Sequence, residues 1–279
     1  MTSTGTSHGS VTVVNAMPCG IGSTIGADLC TTAVFSREGD GRIVRIANDP
    51  SEDTSMARIC VRRAYESAGI PEPDDWLLET DSQIPVSRGL KSSSSACNAI
   101  LRAVFSEIGI SYDPLDLIRL GVECAKEARV TVTGSFDDAC GCGLGGFVIT
   151  DNSCDAVIEH RDIEPADILI YVPRFKIRKS TMPLEALHAV APRIRDVLEY
   201  ASEDPYRAMT ENGRIISAVQ GVDNSIAEKA VSMGAKGAGM SGSGPAVAIV
   251  VDSGDGMSFS KDLGMDPDET IITTTRCGE

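Results

Sequence analysis

Short β-branched runs alternate with longer amphipathic stretches along the chain, and this pattern predicts a mixture of strands and helices. Strands are predicted at residues 11–14, 29–35, 42–46, 76–80, 168–172, 246–251 and 270–275, with one more at the end of the glycine-rich stretch 141–149. Helices are predicted where apolar residues recur at helical spacing, at residues 56–67, 93–104, 113–127, 184–200, 206–219 and 226–233. Because the elements follow one another without an internal repeat, we expect an α+β protein.

Turn residues predict how some of these elements are connected. The Glu38-Gly39-Asp40-Gly41 turn predicts a hairpin between the strands at residues 29–35 and 42–46. Glycines punctuate residues 15–27, which we interpret as a long turn. Asp113-Pro114 predicts a helix cap with proline at the first helical position.

A length of 279 residues allows two hydrophobic cores or one large one. The sequence becomes polar between residues 151 and 165, so we expect two domains, residues 1–160 and 161–279. No apolar run approaches the ~20 residues of a membrane span, and residues 1–10 do not resemble a signal peptide. We therefore expect a cytoplasmic protein without a membrane partner.

The formal net charge of −15 disfavours a nucleic-acid partner, because binding to phosphate backbones depends on clustered Lys and Arg. Any phosphate site in this chain must be a local exception to that negative field. The nine cysteines are expected to be reduced thiols. Cys140 and Cys142 form one close pair without a neighbouring His or second pair, which does not favour a zinc site.

One loop, residues 84–99, combines the features of an anion-binding site. Pro85 and Gly89 interrupt regular structure, and a serine run then begins a helix with a hydroxyl cap at Ser93. The unpaired N–H groups of such a helix start attract anions, and Lys91 adds a mobile positive charge. A serine-rich turn that caps an ordinary helix fits the same residues, so the loop alone does not decide its function.

The glycine-rich stretch at residues 237–245 contains G-x-G-x-x-G, the letters of the dinucleotide-binding fingerprint. That fingerprint requires a strand before the glycines and a helix after them. Here the predicted order is helix, glycines, strand, which excludes a dinucleotide site. The chain also lacks a Walker A string, which excludes a P-loop ATPase.

Three separated patches form a pattern that resembles a known family: the glycine-punctuated turn near the N-terminus, the loop and helix start at residues 85–99, and the glycine-rich loop at residues 237–245. Pro85-x-x-x-Gly89-Leu90-x-Ser92-Ser93 resembles the phosphate-binding motif of the GHMP kinases, the superfamily of galactose, homoserine, mevalonate and phosphomevalonate kinases. The stretch 237–245 resembles the C-terminal glycine motif of that family. One branch, the archaeal shikimate kinases, is similar in the strings Ile84-Pro85, Gly89-Leu90-Lys91-Ser92-Ser93-Ser94, Asn98-Ala99 and Gly134-Ser135-Phe136-Asp137-Asp138-Ala139.

The resemblance covers about residues 11–250 and implies a two-domain fold. The N-terminal domain would be like ribosomal protein S5 domain 2, and the C-terminal domain would be ferredoxin-like. The implied activity is phosphoryl transfer from ATP to the 3-hydroxyl of shikimate, with Mg²⁺. Two alternatives stay open: a GHMP kinase for homoserine or a mevalonate-type alcohol, and a catalytically silent ligand sensor or partner-binding module. The resemblance leaves the oligomeric state open.

The resemblance assigns the nucleotide to the loop and the helix start. The implied nucleotide-binding residues are Pro85, Val86, Ser87, Arg88, Gly89, Leu90, Lys91, Ser92, Ser93, Ser94 and Ser95. Ser93 and Glu127 are the implied ligands of Mg²⁺, an ion that prefers hard oxygen ligands. For Glu127 the alternative is a solvent-facing position late in a helix.

Asp137 matches the position of the family's catalytic aspartate and is a candidate base for the attacking hydroxyl. Asp138 is its adjacent competitor, and both lie in a predicted polar turn, residues 133–138. In several relatives this aspartate is partnered by an N-terminal Lys or Arg, whereas here the first basic residue other than His is Arg37. That departure makes a positioning role for Asp137 an alternative to general base catalysis, and it favours the silent sensor.

The carboxylate of shikimate calls for a cation, preferably a forked Arg. Arg88 is one candidate, and Arg178 in the basic run 174–179 is another, although that run also fits a solvated strand face. Gly22 is expected to shape the acceptor pocket, because glycine allows close backbone approach. Gly239 and Ser241 are expected to close over the site or position the acceptor, with a tight helix-to-strand connection as the alternative.

Overall fold

Strands and helices are mixed along the chain, and the expectation of an α+β fold is confirmed. The structure, a computed structural model, describes residues 2–86, 88–131, 134–175 and 182–278. The strands are β1 (Thr2–Val14), β2 (Ile21–Ser36), β3 (Arg42–Ile46), β4 (Trp76–Ser82), β5 (Phe147–Asp151), β6 (Ala156–Arg161), β7 (Ala166–Tyr171), β8 (Gly237–Met240), β9 (Val247–Asp252) and β10 (Thr270–Thr274). The helices are α1 (Ser55–Ser67), α2 (Ser92–Ile108), α3 (Pro114–Glu127), α4 (Phe136–Leu144), α5 (Leu184–Ala189), α6 (Ala191–Ala201), α7 (Pro205–Gln220), α8 (Ser225–Ser232) and α9 (Gly256–Leu263).

The first sheet has the strand order β3-β4-β2-β5-β6, and β1 pairs with β2 along most of its length. β3 and β4 run parallel, whereas the other pairs are antiparallel. Helices α1, α2 and α3 pack around a buried cluster that includes Phe35, Trp76 and Leu101. This packing fixes the position of α2, whose first turn borders the candidate site.

The second sheet has the order β10-β7-β9-β8, and all its pairs are antiparallel. The chain runs β7, helices α5 to α8, β8, β9, α9, β10, which is the βαββαβ order of a ferredoxin-like unit. Alternate side chains of the strands are buried on opposite faces. Leu169 and Ile249 pack with α8 and α9, whereas Ile168 and Val250 face the first sheet. The ferredoxin-like prediction is therefore confirmed for this half of the chain.

The two sheets share one hydrophobic core. A single cluster of buried side chains contains Val13 of β1, Ile25 of β2, Ile168 of β7 and both Met209 and Ile216 of α7. Because this core ties the end of β1 to α7, the turn after β1 lies beside the glycine-rich loop that follows β8. The candidate site is built at this junction.

The predicted hairpin between β2 and β3 is wrong. Both strands exist, but β4 lies between them and pairs antiparallel with β2 and parallel with β3. Leu78 of β4 pairs with Phe35 on one side and Val44 on the other, and it is fully buried. A direct β2–β3 hairpin would leave this apolar strand without the central position that buries it.

The predicted turn over residues 15–27 is too long. The turn ends at residue 20, and Gly22 and Gly26 lie within β2. The glycines there serve close packing, since a Cβ on Gly26 would lie 2.7 Å from Cα of Gly145. Within β2, glycine therefore marks close contact with a neighbouring segment and not the end of a strand.

Helix boundaries agree with the predictions in some places and depart from them in others. The predicted helix over residues 56–67 matches α1, and Asp113 caps α3 by accepting hydrogen bonds from two backbone N–H groups of its first turn. The predicted helix over 184–200 is two helices, because Pro192 in the first turn of α6 offers no N–H for a continuous ladder. The first residues of the stretch 237–245 form β8, and the pattern missed both β6 and α9.

The predicted domain boundary falls near the change from one sheet to the other. β6, which completes the first sheet, lies inside the polar stretch 151–165, and the second sheet begins with β7. The division into domains 1–160 and 161–279 stays a prediction.

Candidate active site

The loop before α2 leaves the start of that helix open. Gly89 has φ +83°, and Lys91, which precedes the helix, has φ +65°, so both adopt left-handed backbone. The helix begins at Ser92, and Lys91 provides no side-chain cap; the hydroxyl cap predicted at Ser93 is wrong. The N–H groups of the first helical turn thus have no partner within the helix, and the positive end of its dipole faces the same side.

A cavity of about 610 Å³ lies in front of this helix start, and we call it the large cavity. Its size is within the range of small-molecule sites. One wall is formed by the loop and the first turn of α2, and the opposite wall by the segment between α3 and α4. The lining residues include Val86, Gly89, Lys91, Ser92, Ser93 and Ser94 on the first side, and Arg129, Val130, Thr131, Gly134 and Ser135 on the second.

A second cavity, which we call the small cavity, adjoins the first. The end of β1 and the turn after it line one side, and the start of α4, Met182 and the glycine-rich loop line the rest. Both cavities are lined by Ser135, Asp138, Gly242 and Ser243. Ligands bound in the two cavities would therefore meet at the first turn of α4.

Asp137 borders the small cavity and is almost completely buried, with 5% of its surface exposed. The predicted polar turn is in fact the start of α4, whose first turn carries both aspartates. The side chain of Asn152 donates to Oδ1 of Asp137 at 2.7 Å and accepts from its backbone N–H at 3.1 Å. Burial, and then the negative charge of Asp138, raises the pKa of Asp137 to about 7, and the ammonium of Lys91 opposes this rise.

Gly22 of β2 lies directly against this carboxyl group. A Cβ at position 22 would come within 2.4 Å of Oδ2 of Asp137 and 2.9 Å of Cβ of Ala16. Both neighbours line the small cavity, so a side chain at position 22 would displace its wall. The structure thus places Gly22 behind the wall of the small cavity, and its role in shaping an acceptor pocket stays a prediction.

Lys91 is not the mobile charge that the sequence predicts. Its side chain is 1% exposed, and its ammonium donates to Oγ1 of Thr12, to the carbonyl of Gly89 at 3.0 Å and to Oγ of Ser241 at 3.1 Å. Oδ1 of Asp138 lies 3.4 Å from the same nitrogen. Burial explains the difference, because an ammonium deep in the fold must satisfy its donors with fixed partners.

Ser241 joins the glycine-rich loop to the loop before α2. Its hydroxyl donates to the carbonyl of Gly89 at 3.0 Å and accepts from the backbone N–H of Thr12 at 3.2 Å. A Cβ on Gly89 would lie 2.1 Å from the carbonyl oxygen of Ser241, so glycine is required at position 89 for this approach. Ser241 therefore holds the wall between the cavities together.

A third cavity, mostly apolar, continues from the large cavity between α1, α2 and the first sheet. Its walls include Ile46, Met56, Ile84, Ala96 and Ile100, with Asn48 and Asp53 among the polar residues. It shares Glu52, Val86, Ser92, Ser93 and Val130 with the large cavity. An elongated ligand with a flat apolar end and an anionic end would fit both.

Known proteins are similar in sequence to this chain over most of its length. A sequence model described as the GHMP kinases N terminal domain matches residues 55–146. The shikimate kinase of Methanosarcina acetivorans is 37% identical over 87% of this chain and 83% of its own length. The shikimate kinase of Pyrococcus abyssi is 32% identical over 90% of this chain and 92% of its own length. The chain belongs to the GHMP kinases, in the branch of these shikimate kinases.

Solved GHMP kinase structures share the fold. A mevalonate kinase superimposes with a TM-score of 0.78 at 16% identity, covering 100% of this chain and 99% of the other. The Lactococcus lactis galactokinase complexed with galactose superimposes with a TM-score of 0.77 at 14% identity, covering 100% of this chain and 94% of the other. The predicted two-domain GHMP fold is therefore confirmed, and membership of this family implies ATP as the phosphate donor.

Three predicted site residues of this GHMP kinase are engaged elsewhere. The guanidinium of Arg88 donates to the backbone carbonyls of residues 173, 174 and 175, so it clamps that turn and does not face the small cavity. Glu127, at the end of α3, forms an exposed ion pair with Arg62 and is not among the residues that line the large cavity. Gly239 lies in β8, where a Cβ would be 2.5 Å from the carbonyl oxygen of Met209, so its glycine serves helix packing.

Other members of the predicted nucleotide-binding stretch lie away from the large cavity. Leu90 is buried in the core shared by the two sheets, and Ser95 is buried within α2. Pro85 borders a shallow depression on the neighbouring surface. Ser87 and Arg178 lie outside the described residues.

Polar residues that the sequence pattern did not single out hold the walls of the site in place. The backbone N–H of Asn15 donates to the side chain of Asn212 in α7 at 2.9 Å, and the side chain of Asn15 donates to the carbonyl of Gly242 at 2.8 Å. Thr12 and Asn152 brace Lys91 and Asp137 in the same way. The one available signal was Asn15, a polar residue that directly follows the apolar end of β1.

Proposed function

We propose that this GHMP kinase transfers the γ-phosphoryl group of ATP to the 3-hydroxyl of shikimate, giving ADP and shikimate 3-phosphate. The observation that carries the proposal is the similarity of nearly the whole chain to enzymes named shikimate kinase, at 32–37% identity. The adjoining cavities support a direct transfer between two bound substrates. The net charge of −15 supports a small-molecule substrate over nucleic acid.

The triphosphate is proposed to lie in the large cavity against the first turn of α2. A helix terminus stabilises an anion by about 0.3–1 kcal/mol, and up to ~2 kcal/mol in a partly buried site. That is modest for a triphosphate, so backbone N–H groups and a metal ion must neutralise most of the charge. The adenine is proposed to occupy the apolar third cavity, which opens from the large one.

Mg²⁺ fits the donors that line the large cavity. Ser92, Ser93, Ser94 and Thr131 bring hydroxyl oxygens there, and Mg²⁺ prefers hard oxygen ligands and keeps several waters. We propose Ser93 as a ligand, as the sequence predicts. Glu127 does not fit this role, because its carboxylate pairs with Arg62 on the surface. When bound, the ion would offset negative charge on the phosphate oxygens.

Asp137 is proposed to accept the proton of the attacking hydroxyl. Phosphoryl transfer forms a bond from the 3-oxygen of shikimate to the γ-phosphorus and breaks the bond to the β-phosphate oxygen, while the hydroxyl proton passes to Asp137. A base with a pKa near the working pH is effective in this role, and burial raises the pKa of Asp137 to about 7. Activity should therefore rise with pH as this carboxyl loses its proton.

Arg178 remains our proposed partner for the carboxylate of shikimate. The basic run 174–179 comes shortly before Met182, which lines the small cavity, and Arg88 is engaged by backbone carbonyls.

Release of ADP in the presence of different alcohols tests the proposed function. Shikimate should give steady turnover and shikimate 3-phosphate, identified by ³¹P NMR, whereas homoserine and mevalonate should give none. A parallel preparation of Asp137→Asn controls for contaminating kinases. Turnover with homoserine or mevalonate alone would assign a different acceptor, and ATP binding without any phosphorylated alcohol would support the silent sensor.

The cellular location is proposed from the same function. Within the part of the chain that the structure describes, no helix has the length and apolar character needed to cross a membrane. A small-molecule kinase that uses ATP is expected in the cytoplasm, and fractionation of the native source with detection of the protein would test this.

A further inference from the structure

Lys91 places a buried positive charge beneath the wall that separates the large and small cavities. Its nearest partners come from three different segments: Thr12 at the end of β1, Gly89 in the loop before α2, and Ser241 in the glycine-rich loop. These three segments form much of the wall between the two cavities. A positive charge at this point therefore acts on the groups that border either cavity.

The hydrogen bonds of Lys91 leave it no donor for a phosphate oxygen. An ammonium group has three N–H donors. Thr12, Gly89 and Ser241 accept from the ammonium in this structure. The side chain is 1% exposed, so water does not replace these partners. Lys91 lines the large cavity, but its ammonium donates to these three partners within the fold and not into the cavity.

The backbone at position 91 also indicates that this side chain has a specific role. Its φ of +65° lies in the left-handed region, which glycine adopts readily and other residues adopt at a cost. Such conformations in non-glycine residues persist where surrounding contacts hold them, and they cluster at functional sites. Here the ammonium of Lys91 contacts three segments, and its backbone carbonyl accepts from the N–H of Ser95 at 3.0 Å.

Asp138 is the carboxylate that balances the buried ammonium. Its Oδ1 lies 3.4 Å from Nζ of Lys91, and the Asp138 side chain is 20% exposed and lines both cavities. Asp137, by contrast, lines the small cavity and is held by Asn152. The two neighbouring carboxyl groups therefore have different partners, and of the two Asp138 alone borders both cavities.

We propose that Lys91 is a positioning residue for the transfer reaction, which holds Asp138 at the junction of the two cavities and does not itself bind the phosphates of the nucleotide. This inference rests on the proposed kinase function and deepens it. It predicts that Lys91 affects the rate of transfer through Asp138, while the affinity for ATP depends on the backbone of the loop and on α2.

A double-mutant cycle with Lys91→Met, Asp138→Asn and the double variant tests the proposal. Each single change should lower kcat by about 100-fold, the size expected when a group near the reacting atoms is displaced by about 1 Å. The KM for ATP should stay within about threefold of the wild type. The double variant should be no slower than the slower single variant, because both changes remove the same interaction. Lys236→Met, which breaks an exposed ion pair with Asp252, is the matched control and should keep wild-type kinetics.

Two results would overturn the proposal. If Lys91→Met raises the KM for ATP and leaves kcat unchanged, Lys91 binds phosphate. If the two losses in kcat multiply in the double variant, Lys91 does not act through Asp138. Should Lys91→Met fail to fold by circular dichroism, the nearly isosteric Asp138→Asn decides alone, and wild-type kcat in that variant would contradict the proposal.

An NMR titration of the Asp137 carboxyl gives a second readout that does not depend on turnover. Lys91 and Asp138 are the charged groups that act on Asp137, and the positive charge of Lys91 opposes the rise in its pKa. Lys91→Met should therefore move the titration of Asp137 to higher pH than in the wild type, and an unchanged titration would count against the proposal. Failure of the wild type to phosphorylate shikimate would refute the proposed function, and this titration would still test the role of Lys91.

Discussion

Asp137→Asn should stabilise the folded protein at alkaline pH while it abolishes most of its activity. The carboxyl group is buried, and the rise of its pKa from 3.8 to about 7 means that the folded state disfavours its ionised form. The asparagine side chain resembles the protonated carboxyl group and keeps an oxygen that can accept the 2.7 Å hydrogen bond from Asn152. The substitution therefore removes a buried charge without removing its partner.

The size and pH dependence of this effect follow from proton linkage. Between about pH 4 and pH 7 the folded state retains a proton that the unfolded chain has released, so the free energy of unfolding of the wild type falls as pH rises. The full rise in pKa is equivalent to about 4 kcal/mol. Of this, the wild type should lose about 3 kcal/mol of its free energy of unfolding between pH 5 and pH 8. Asp137→Asn lacks this titrating group, so its stability relative to the wild type should increase by that amount over the same pH range.

Urea unfolding of both proteins at pH 5 and pH 8 measures this difference. Asp151→Asn is a suitable control, because hydrogen bonds from Ser153 lower the pKa of that exposed carboxyl group. Its substitution should bring no alkaline advantage. In parallel, kcat of Asp137→Asn should fall by about 10²–10⁴-fold with ATP binding retained. An equal stability difference at both pH values would refute the argument that burial raises the pKa of Asp137.

Three further substitutions test the geometry of the site. Gly22→Ala should lower kcat by at least about tenfold and leave the KM for ATP unchanged, because the added Cβ would press on Oδ2 of Asp137. A kcat equal to that of the wild type would show that the wall of the small cavity can move to accept the methyl group. Ser93→Ala should raise the Mg²⁺ concentration needed for half-maximal activity, and a titration identical to the wild type would remove Ser93 as a ligand. Glu127→Gln should leave that titration unchanged and alter stability by no more than about 1 kcal/mol, because its exposed pair with Arg62 contributes little; a raised Mg²⁺ requirement would restore Glu127 as a ligand.

The sequence identified the loop before α2 because the chemistry there is local. A proline, a glycine and a serine run within one short stretch predict an open helix start wherever the stretch lies in the fold. Gly22 could be anticipated for a similar reason, since glycine marks close approach of another group. What the sequence did not predict is which group approaches it. That group is Asp137, more than a hundred residues away.

The positions of the remaining candidate side chains depend on tertiary contacts. Lys91 and Arg88 look like free cations in the sequence, but one is buried against β1 and the other binds backbone carbonyls of a distant turn. Glu127 ends α3 close to Arg129 of the large cavity, yet its side chain pairs with Arg62 of α1. A long polar side chain can turn to either side of its helix, and only the packing of neighbouring elements decides which.

The errors in the predicted fold also arise from tertiary contacts. A short turn between two strands favours a hairpin, but the pairing of β4 with both β2 and β3 buries more apolar surface. Residues 237–240 contain two glycines and lack strand propensity, yet they form β8 beside β9. The glycines allow α7 to approach, because a Cβ at Gly237 or Gly239 would lie 2.5 Å from a carbonyl oxygen of that helix. Local propensity yields to these contacts.

A crystal structure with a non-hydrolysable ATP analogue and shikimate would show whether the two substrates meet at Asp137. We expect the triphosphate in the large cavity against the first turn of α2, with the 3-hydroxyl of shikimate within hydrogen-bond distance of Asp137. Lys91 should keep its contacts with Thr12 and Ser241 in that complex. Phosphates bound away from the serine run, or a shikimate hydroxyl that does not face Asp137, would contradict the proposed transfer reaction.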